Sequence, residues 1–167
     1  MQEKDENDEL EPKSPMTRNR TEIVERKEFQ ASSPDEITFV KIVERLGIEL
    51  KSRTQSEIVL GLPSGKVLSY EIMYTFPFSS ETKRMGIVVR NKETREIDFY
   101  LKGADSIMRG FIQNRQKKGF IDEECKDLSM TGLRTLVISK KSLKEEQFQQ
   151  WSERYEEAYN KLEVDKK

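Results

Sequence analysis

The sequence contains no histidine and a single cysteine, Cys125, among its 167 residues. Without histidine, a Ser-His-Asp triad, a Cys-His dyad and a histidine-ligated metal site are all excluded. One cysteine cannot form an internal disulfide bond, which favours a reducing compartment. No hydrophobic run approaches the roughly 20 residues that a membrane-spanning helix needs. The phosphate-binding Walker A pattern, Gly-x-x-x-x-Gly-Lys-Ser/Thr, is absent as well.

An excess of charge of one sign is also missing, because the sequence contains 30 Lys and Arg residues and 31 Asp and Glu residues. This balance argues against a nucleic-acid partner bound by phosphate neutralisation. Residues 1–21 are nevertheless rich in acidic and other polar side chains, and we predict that they form a disordered acidic leader or insertion. We expect the folded domain at residues 22–162, followed by a short tail at 163–167.

Alternating apolar residues in the middle of the sequence predict antiparallel strands. The longest alternation comprises Leu68, Tyr70, Ile72, Tyr74, Phe76 and Phe78. Shorter ones comprise Met85, Ile87 and Val89, then Ile97, Phe99 and Leu101. A polar turn at residues 91–95 separates these two, and further short strands are predicted at residues 58–60 and 133–139.

Helix-start signals flank the predicted strands. In Ser33-Pro34-Asp35-Glu36 the serine occupies the N-cap, the proline N1 and the glutamate N3. The helix is predicted to reach about Leu46, to end at Gly47, and to bury Phe39, Val40, Val43 and Leu46.

Three further helices are predicted. They begin at residue 104 or 105, at about residue 121, and after a second capping box, Ser142-Leu143-Lys144-Glu145. The last has an aromatic face that is typical of core packing, made of Phe148, Trp151, Tyr155, Tyr159 and Leu162. The order of elements predicts an α+β fold with a mainly antiparallel sheet flanked by helices.

The segment between the two central strands carries the clearest chemical signal. Phe78, two serine hydroxyls and the cations Lys83 and Arg84 lie between strands that Pro77 keeps from pairing regularly. An aromatic face beside cations suits a flat base that bears phosphates. The alternative is an ordinary hairpin whose Phe78 lies in the core.

Three other positions combine a charge with a strand or helix end: Glu36, Lys102 and Arg134. Rigid scaffolds often present binding groups at such ends. Each also has a simpler explanation. Glu36 closes a capping box, Lys102 extends its charge to the solvent from the edge of the sheet, and Arg134 is an exposed residue of a strand. Spacing alone leaves open whether the three converge.

Four motifs taken together resemble the nucleotide-binding (N) domain of P-type ATPases. In order, they are Ser32-Ser33-Pro34-Asp35-Glu36, Phe78-Ser79-Ser80-Glu81-Thr82-Lys83-Arg84-Met85, Lys102-Gly103-Ala104-Asp105 and Gly132-Leu133-Arg134-Thr135-Leu136. The first and third are similar to those of the phospholipid flippases, the type IV enzymes. Met85-Gly86-Ile87-Val88-Val89-Arg90 looks closest to their class without a β-subunit. The resemblance covers about residues 29–159.

The resemblance implies a role for each motif residue. Phe78 stacks on adenine, Lys83 lies near adenine and the phosphates, and Lys102 lies at the floor of the pocket. Glu36 contacts the adenine edge and Arg134 reaches the phosphates. Ser80 and Gly103, from the second and third motifs, complete the nucleotide-binding set.

The same resemblance implies ATP as the ligand, as Mg-ATP in the parent enzyme, with the phosphorylation and actuator domains of the parent as partners. It implies a position on the cytoplasmic face of Golgi or endosomal membranes, without membrane contact by this domain. P-type ATPases phosphorylate the aspartate of an Asp-Lys-Thr-Gly motif, which this sequence lacks. We therefore expect no catalytic residue and no metal ligand in the chain, and no ATP hydrolysis by it alone.

Flippases commonly carry Arg-Lys-Arg-Met where this sequence has Thr82-Lys83-Arg84-Met85, so one cation of the cluster is missing. Thr82 and the acidic leader favour an alternative function, a regulatory or protein-interaction module that retains the N-domain fold. A cation-pumping relative is disfavoured by the Ser-Pro-Asp-Glu motif.

Overall fold

The computed structural model describes residues 29–31, 33–113 and 115–164, except for the side chains of residues 115–117 and 162–164. The predicted leader at residues 1–21 lies outside the described residues, as do residues 165–167 of the predicted tail. Within the described ranges, no helix combines the length and the apolar character needed to cross a membrane.

The described residues form one antiparallel sheet in which each strand pairs with the next along the chain. The strands are β1 (Glu49–Arg53), β2 (Glu57–Gly61), β3 (Val67–Phe76), β4 (Arg84–Asn91), β5 (Ile97–Gly103) and β6 (Val137–Leu143). The helices are α1 (Pro34–Arg45), α2 (Asp105–Met108), α3 (Arg115–Met130) and α4 (Glu145–Val164), with a 3-10 turn at Arg109–Phe111. The predicted α+β class with an antiparallel sheet is confirmed.

The two buried hydrophobic clusters lie on one face of this sheet. One buried cluster comprises Val88, Ile97 and Phe148, and a second comprises Leu101, Met108 and Val137. Residues 97, 99 and 101 of β5 point to the same face because side chains alternate along a strand, and Phe99 contacts both clusters. Helix α4 therefore covers one part of the face, and α2 with α3 covers the other.

The aromatic face of α4 packs as predicted. Phe148 is buried, and the rings of Trp151 and Tyr155 lie with their centroids 5.0 and 5.4 Å from that of Tyr74. Both contacts are edge-to-face, an arrangement that aromatic pairs favour. Tyr159, further along the stripe, is exposed, and the side chain of Leu162 lies outside the described residues.

A β-bulge interrupts β3 in the middle of its long alternation. Ile72 pairs with Val89 and Tyr74 pairs with Val88, so Met73 is an extra residue without a partner in β4. Cross-strand partners share a face, and therefore Ile72 points to one face of the sheet while Tyr74 points to the other. The sequence pattern predicted one continuous face, which is wrong from Met73 onward.

Helix α1 begins and ends as predicted. The Ser33 side chain accepts a hydrogen bond from the Glu36 backbone N–H at 3.4 Å. At the other end Gly47 has a φ of 84°, and the N–H groups of Gly47 and Ile48 bond the carbonyls of Glu44 and Val43. These two bonds form a Schellman motif, which requires the left-handed conformation that glycine adopts at little cost.

The predicted buried face of α1 is largely wrong. Phe39, Val43 and Leu46 are all exposed, and Leu46 is the most exposed of the three at 68%. Val40 is half-buried. The periodicity identified the apolar side of the helix correctly, but that side does not enter the core formed by α2, α3 and α4.

Replacing Ser33 by alanine is expected to lower the free energy of unfolding by about 1 kcal/mol, because the cap of α1 is lost. Ser129→Ala is the matched control, since the Ser129 hydroxyl bonds the Lys126 carbonyl within a helix and caps no N-terminus. Urea denaturation of both variants measures the difference. Equal stabilities would show that the Ser33 hydroxyl does not act as a cap.

Strand β6 begins four residues later than predicted, at Val137 instead of Leu133, and runs to Leu143. Ser142 consequently lies within the strand, where its hydroxyl donates a hydrogen bond to the buried Asp98 carboxylate. The predicted capping box at Ser142 is therefore wrong. The Gln147 side chain instead accepts a hydrogen bond from the Lys144 backbone N–H, which shifts the helix start by two residues.

Candidate functional site

The candidate site lies where four segment ends meet at one end of the sheet. β3 ends at Phe76, which pairs with Gly86 near the start of β4. Arg84, at the start of β4, pairs with Gly103, which pairs in turn with Val137 at the start of β6. The β3–β4 loop, the residues after β5 and the segment before β6 therefore lie side by side.

The β3–β4 loop (residues 77–83) holds Phe78 away from the core, because 58% of its surface is exposed. The loop is closed by a hydroxyl pair between Ser79 and Thr82 at 2.8 Å and by a hydrogen bond from the Lys83 N–H to the Ser79 carbonyl. Lys83 itself has a φ of 51°, which is uncommon for a residue with a side chain. The alternative in which Phe78 is a core residue of a hairpin does not fit this exposure.

Gly103 joins the loop to the end of β5 through a close backbone contact. The Ala104 N–H donates a hydrogen bond to the Lys83 carbonyl at 3.2 Å. A Cβ atom on Gly103 would lie only 2.8 Å from that carbonyl oxygen and 2.9 Å from the Cβ of Arg84. Only glycine leaves room for this approach.

Lys102 is held by the first turns of α1. Its ammonium group lies 3.2 Å from a carboxylate oxygen of Glu36, and each side chain is only 22% exposed. The same ammonium lies 5.4 Å from the centroid of the Phe39 ring, within cation–π range. Glu36 therefore contributes its backbone N–H to the cap of α1 and its side chain to Lys102.

The Arg134 side chain is held by Asp35, which precedes Glu36 in the first turn of α1. One guanidinium nitrogen lies 3.1 Å from the Asp35 carboxylate. The Arg134 side chain is 85% exposed and that of Asp35 is 41% exposed. Two consecutive carboxylates of α1 thus reach two different cations, one half-buried and one at the surface.

A cleft of about 350 Å³ opens beside these ion pairs. Its walls come from α1, from the second half of α3 and from the segment that leads into β6, and they comprise Asp35, Thr38, Phe39, Cys125, Leu128, Arg134, Thr135 and Leu136. The walls are mainly apolar, with the Asp35–Arg134 pair as their charged part. Of the predicted site residues described by the structure, only Arg134 lines this cleft.

The structure thus connects some predicted site residues directly and others through the backbone. An ion pair between α1 and β5 joins Glu36 to Lys102, and a close backbone contact joins Gly103 to Lys83. Phe78 and Ser80 lie in the adjacent loop at the same end of the sheet. Sequence reasoning missed Asp35 and Phe39 as partners of the site cations, although Asp35 belongs to a motif that it singled out.

A family model described as P-type ATPase, cytoplasmic domain N, matches residues 16–165. The human protein named "Probable phospholipid-transporting ATPase IIB" is 47% identical over 134 residues, which cover 80% of this chain and 11% of the relative. "Phospholipid-transporting ATPase NEO1" of Saccharomyces cerevisiae is 41% identical over 131 residues, which cover 78% of this chain and 11% of that relative. "Probable phospholipid-transporting ATPase tat-5" of Caenorhabditis elegans is 41% identical over 146 residues, which cover 84% of this chain and 13% of that relative. The chain therefore spans only about a tenth of these relatives.

Proposed function

Because this chain belongs to the P-type ATPase cytoplasmic domain N family, we propose that it binds ATP and presents the γ-phosphate to an aspartate on a separate phosphorylation domain. One observation carries the proposal. The meander sheet brings the loop with Phe78 and Lys83, the end of β5 with Lys102 and Gly103, and the segment with Arg134 to the same end.

The base would be recognised by the exposed ring of Phe78. Aromatic faces stack on bases irrespective of sequence, and a ring that is 58% exposed is available to do so. Lys83 and Ser80 belong to the same loop, and the Glu36 carboxylate, paired with Lys102, offers an acceptor for an exocyclic amine. These contacts favour a purine nucleotide over a phosphate alone.

The phosphates would be recognised by cations of two kinds. Lys83 provides a point charge in the β3–β4 loop, whereas the exposed guanidinium of Arg134 offers the planar fork that suits phosphate oxygens. Mg²⁺ would arrive with ATP, since it is usually bound through substrate phosphates and one or two carboxylates. Among the described residues, no group of three or more Asp, Glu or Cys side chains is placed to hold a metal ion.

The chemical step would belong to other parts of the parent enzyme. The sequence has neither an Asp-Lys-Thr-Gly motif nor a Walker A loop, so it offers no aspartate of the family type to phosphorylate. The names of the relatives support a phospholipid-translocating parent, and the description of the family supports a position on the cytoplasmic side of a membrane. The phosphorylation and actuator domains of that parent would be the partners. The Golgi or endosomal location rests on the resemblance alone.

Titration of the chain with ATP is expected to shift the backbone amide signals of residues 78–83, 102–104 and 134–136, without release of phosphate. The turn at residues 92–95 is the internal control, because it lies at the opposite end of β4. The titration is repeated in EDTA, where affinity should fall by less than about tenfold if the ring and cations dominate.

Phosphate release above a no-protein control, from a preparation cleared of contaminating ATPases, would contradict the non-catalytic role. A folded chain that gives no shifts at millimolar ATP would instead favour the regulatory or protein-interaction module. Thr82 supports that second candidate, because its hydroxyl closes the loop with Ser79 where flippases commonly carry an arginine.

A further inference from the structure

We infer that Asp35 competes with the nucleotide phosphates for Arg134, and so lowers the affinity of the site for ATP more than for AMP. The inference rests on the proposed function and adds to it a residue that sets phosphate specificity. In the structure, the guanidinium proposed to reach the phosphates is already bonded to the Asp35 carboxylate at 3.1 Å.

The two ion pairs of the site differ in a way that makes this competition specific to Arg134. Lys102 and Glu36 are both only 22% exposed, so their pair is shielded and its geometry is fixed by packing against Phe39. Arg134 is 85% exposed, and water screens its attraction to Asp35. A pair of this kind contributes little to folding and exchanges readily, so an incoming phosphate is able to replace the carboxylate.

Displacement of Asp35 does not remove its charge from the site. Asp35 lies in the first turn of α1, where backbone N–H groups and the helix dipole favour a negative charge. The carboxylate therefore remains close to Arg134 and repels the phosphates that bind there. The repulsion grows with the number of phosphate charges, and this separates ATP from AMP.

Replacing Asp35 by asparagine keeps the size of the side chain and removes the charge. We expect Asp35→Asn to increase the affinity for ATP about two- to fivefold, as for loss of a screened surface charge interaction, with a smaller gain for ADP and little change for AMP. Isothermal titration calorimetry with the three nucleotides, each in Mg²⁺ and in EDTA, measures these changes.

Glu93→Gln is the matched control. Glu93 forms an exposed ion pair with Lys66 at 3.0 Å in the turn at the opposite end of β4, so its loss changes the net charge by the same amount far from the site. A second control places Asp35→Asn in an Arg134→Gln background. Because Asp35 competes for Arg134, the gain should be clearly smaller there, and what remains is the direct repulsion of the phosphates by Asp35. A double-mutant cycle measures the difference.

Four outcomes would overturn the inference while leaving the proposed function intact: unchanged ATP affinity in Asp35→Asn, weaker ATP affinity, an equal gain in Glu93→Gln, or a gain of the same size without Arg134. Weaker binding confined to Mg²⁺ would make Asp35 a ligand of the metal–nucleotide complex. Absence of ATP binding by the folded unmodified chain would instead overturn the proposed function, and the inference with it.

Discussion

Phe78→Ala is expected to weaken the binding of ATP, ADP and AMP by a similar factor, because all three share the base that the ring would stack on. Stacking of a base on an aromatic side chain contributes about 1–3 kcal/mol, so the expected loss is roughly 5- to 150-fold. Stability should change little, since Phe78 is exposed. Calorimetric titration and thermal denaturation of the variant measure the two quantities.

Phe120→Ala is the control for this experiment. Phe120 is another exposed phenylalanine, located on α3 and absent from the four motifs. Its truncation should leave nucleotide affinity unchanged. Truncation of a core phenylalanine costs about 3–5 kcal/mol. A Phe78→Ala protein that melts much earlier, yet binds normally while folded, would mean that the ring supports the hairpin and does not stack on the base.

Gly103→Ala is expected to lower the free energy of unfolding by about 1–3 kcal/mol, the usual cost of overpacking. The new methyl group would meet the Lys83 carbonyl oxygen at 2.8 Å and Arg84 at 2.9 Å. The first of these is a backbone atom, so the β3–β4 loop has to move. Nucleotide affinity should fall as well, because Phe78 and Lys83 belong to that loop. Chemical denaturation and nucleotide titration test both effects.

Gly119→Ala provides the comparison. A methyl group on Gly119 meets no other atom within 4 Å, and the residue lies inside α3. Alanine is favoured over glycine in a helix interior by about 1 kcal/mol, so this variant should be neutral or slightly more stable. If Gly103→Ala behaved in the same way, the contact between β5 and the loop would be looser than the structure indicates.

The fold was predictable where local patterns and the global arrangement agree. The alternation in β4 and β5 predicted their pairing, and the stripe of Phe148, Trp151 and Tyr155 predicted the packing of α4. Strand β1 was missed because it is an edge strand with Glu49, Lys51 and Arg53 among its five residues. Charged side chains are common on edge strands and hide them from a search for apolar alternation.

The position of β6 was mispredicted for a related reason. Leu133 and Leu136 are apolar but exposed, whereas Ser139 and Ser142 lie within the strand and bond the Leu101 carbonyl and the Asp98 carboxylate. Strand pairing with β5 determined the register, and the hydrophobicity of individual residues did not. Arg134 consequently lies in a loop, where its exposed side chain can reach Asp35.

For the candidate site, the motifs proposed a set of residues but did not indicate which of them touch. A helical pattern shows which side chains share a face of the helix, but it does not show which residues of other segments contact that face. The contacts of Glu36 with Lys102 and of Asp35 with Arg134 join residues 66 and 99 positions apart. Tertiary packing alone creates such contacts.

The extra residue at Met73 makes the outcome of a deletion in β3 depend on which residue is removed. Side chains alternate with a period of two, so the parity of the count from the bulge decides which face each later residue occupies. Deleting Met73 itself would leave Ile72 opposite Val89 and Tyr74 opposite Val88, so Tyr74 and Phe76 would still face α4. Deleting Thr75 while Met73 stays unpaired would instead place Phe76 opposite Ile87, on the face away from α4 and next to the loop that carries Phe78.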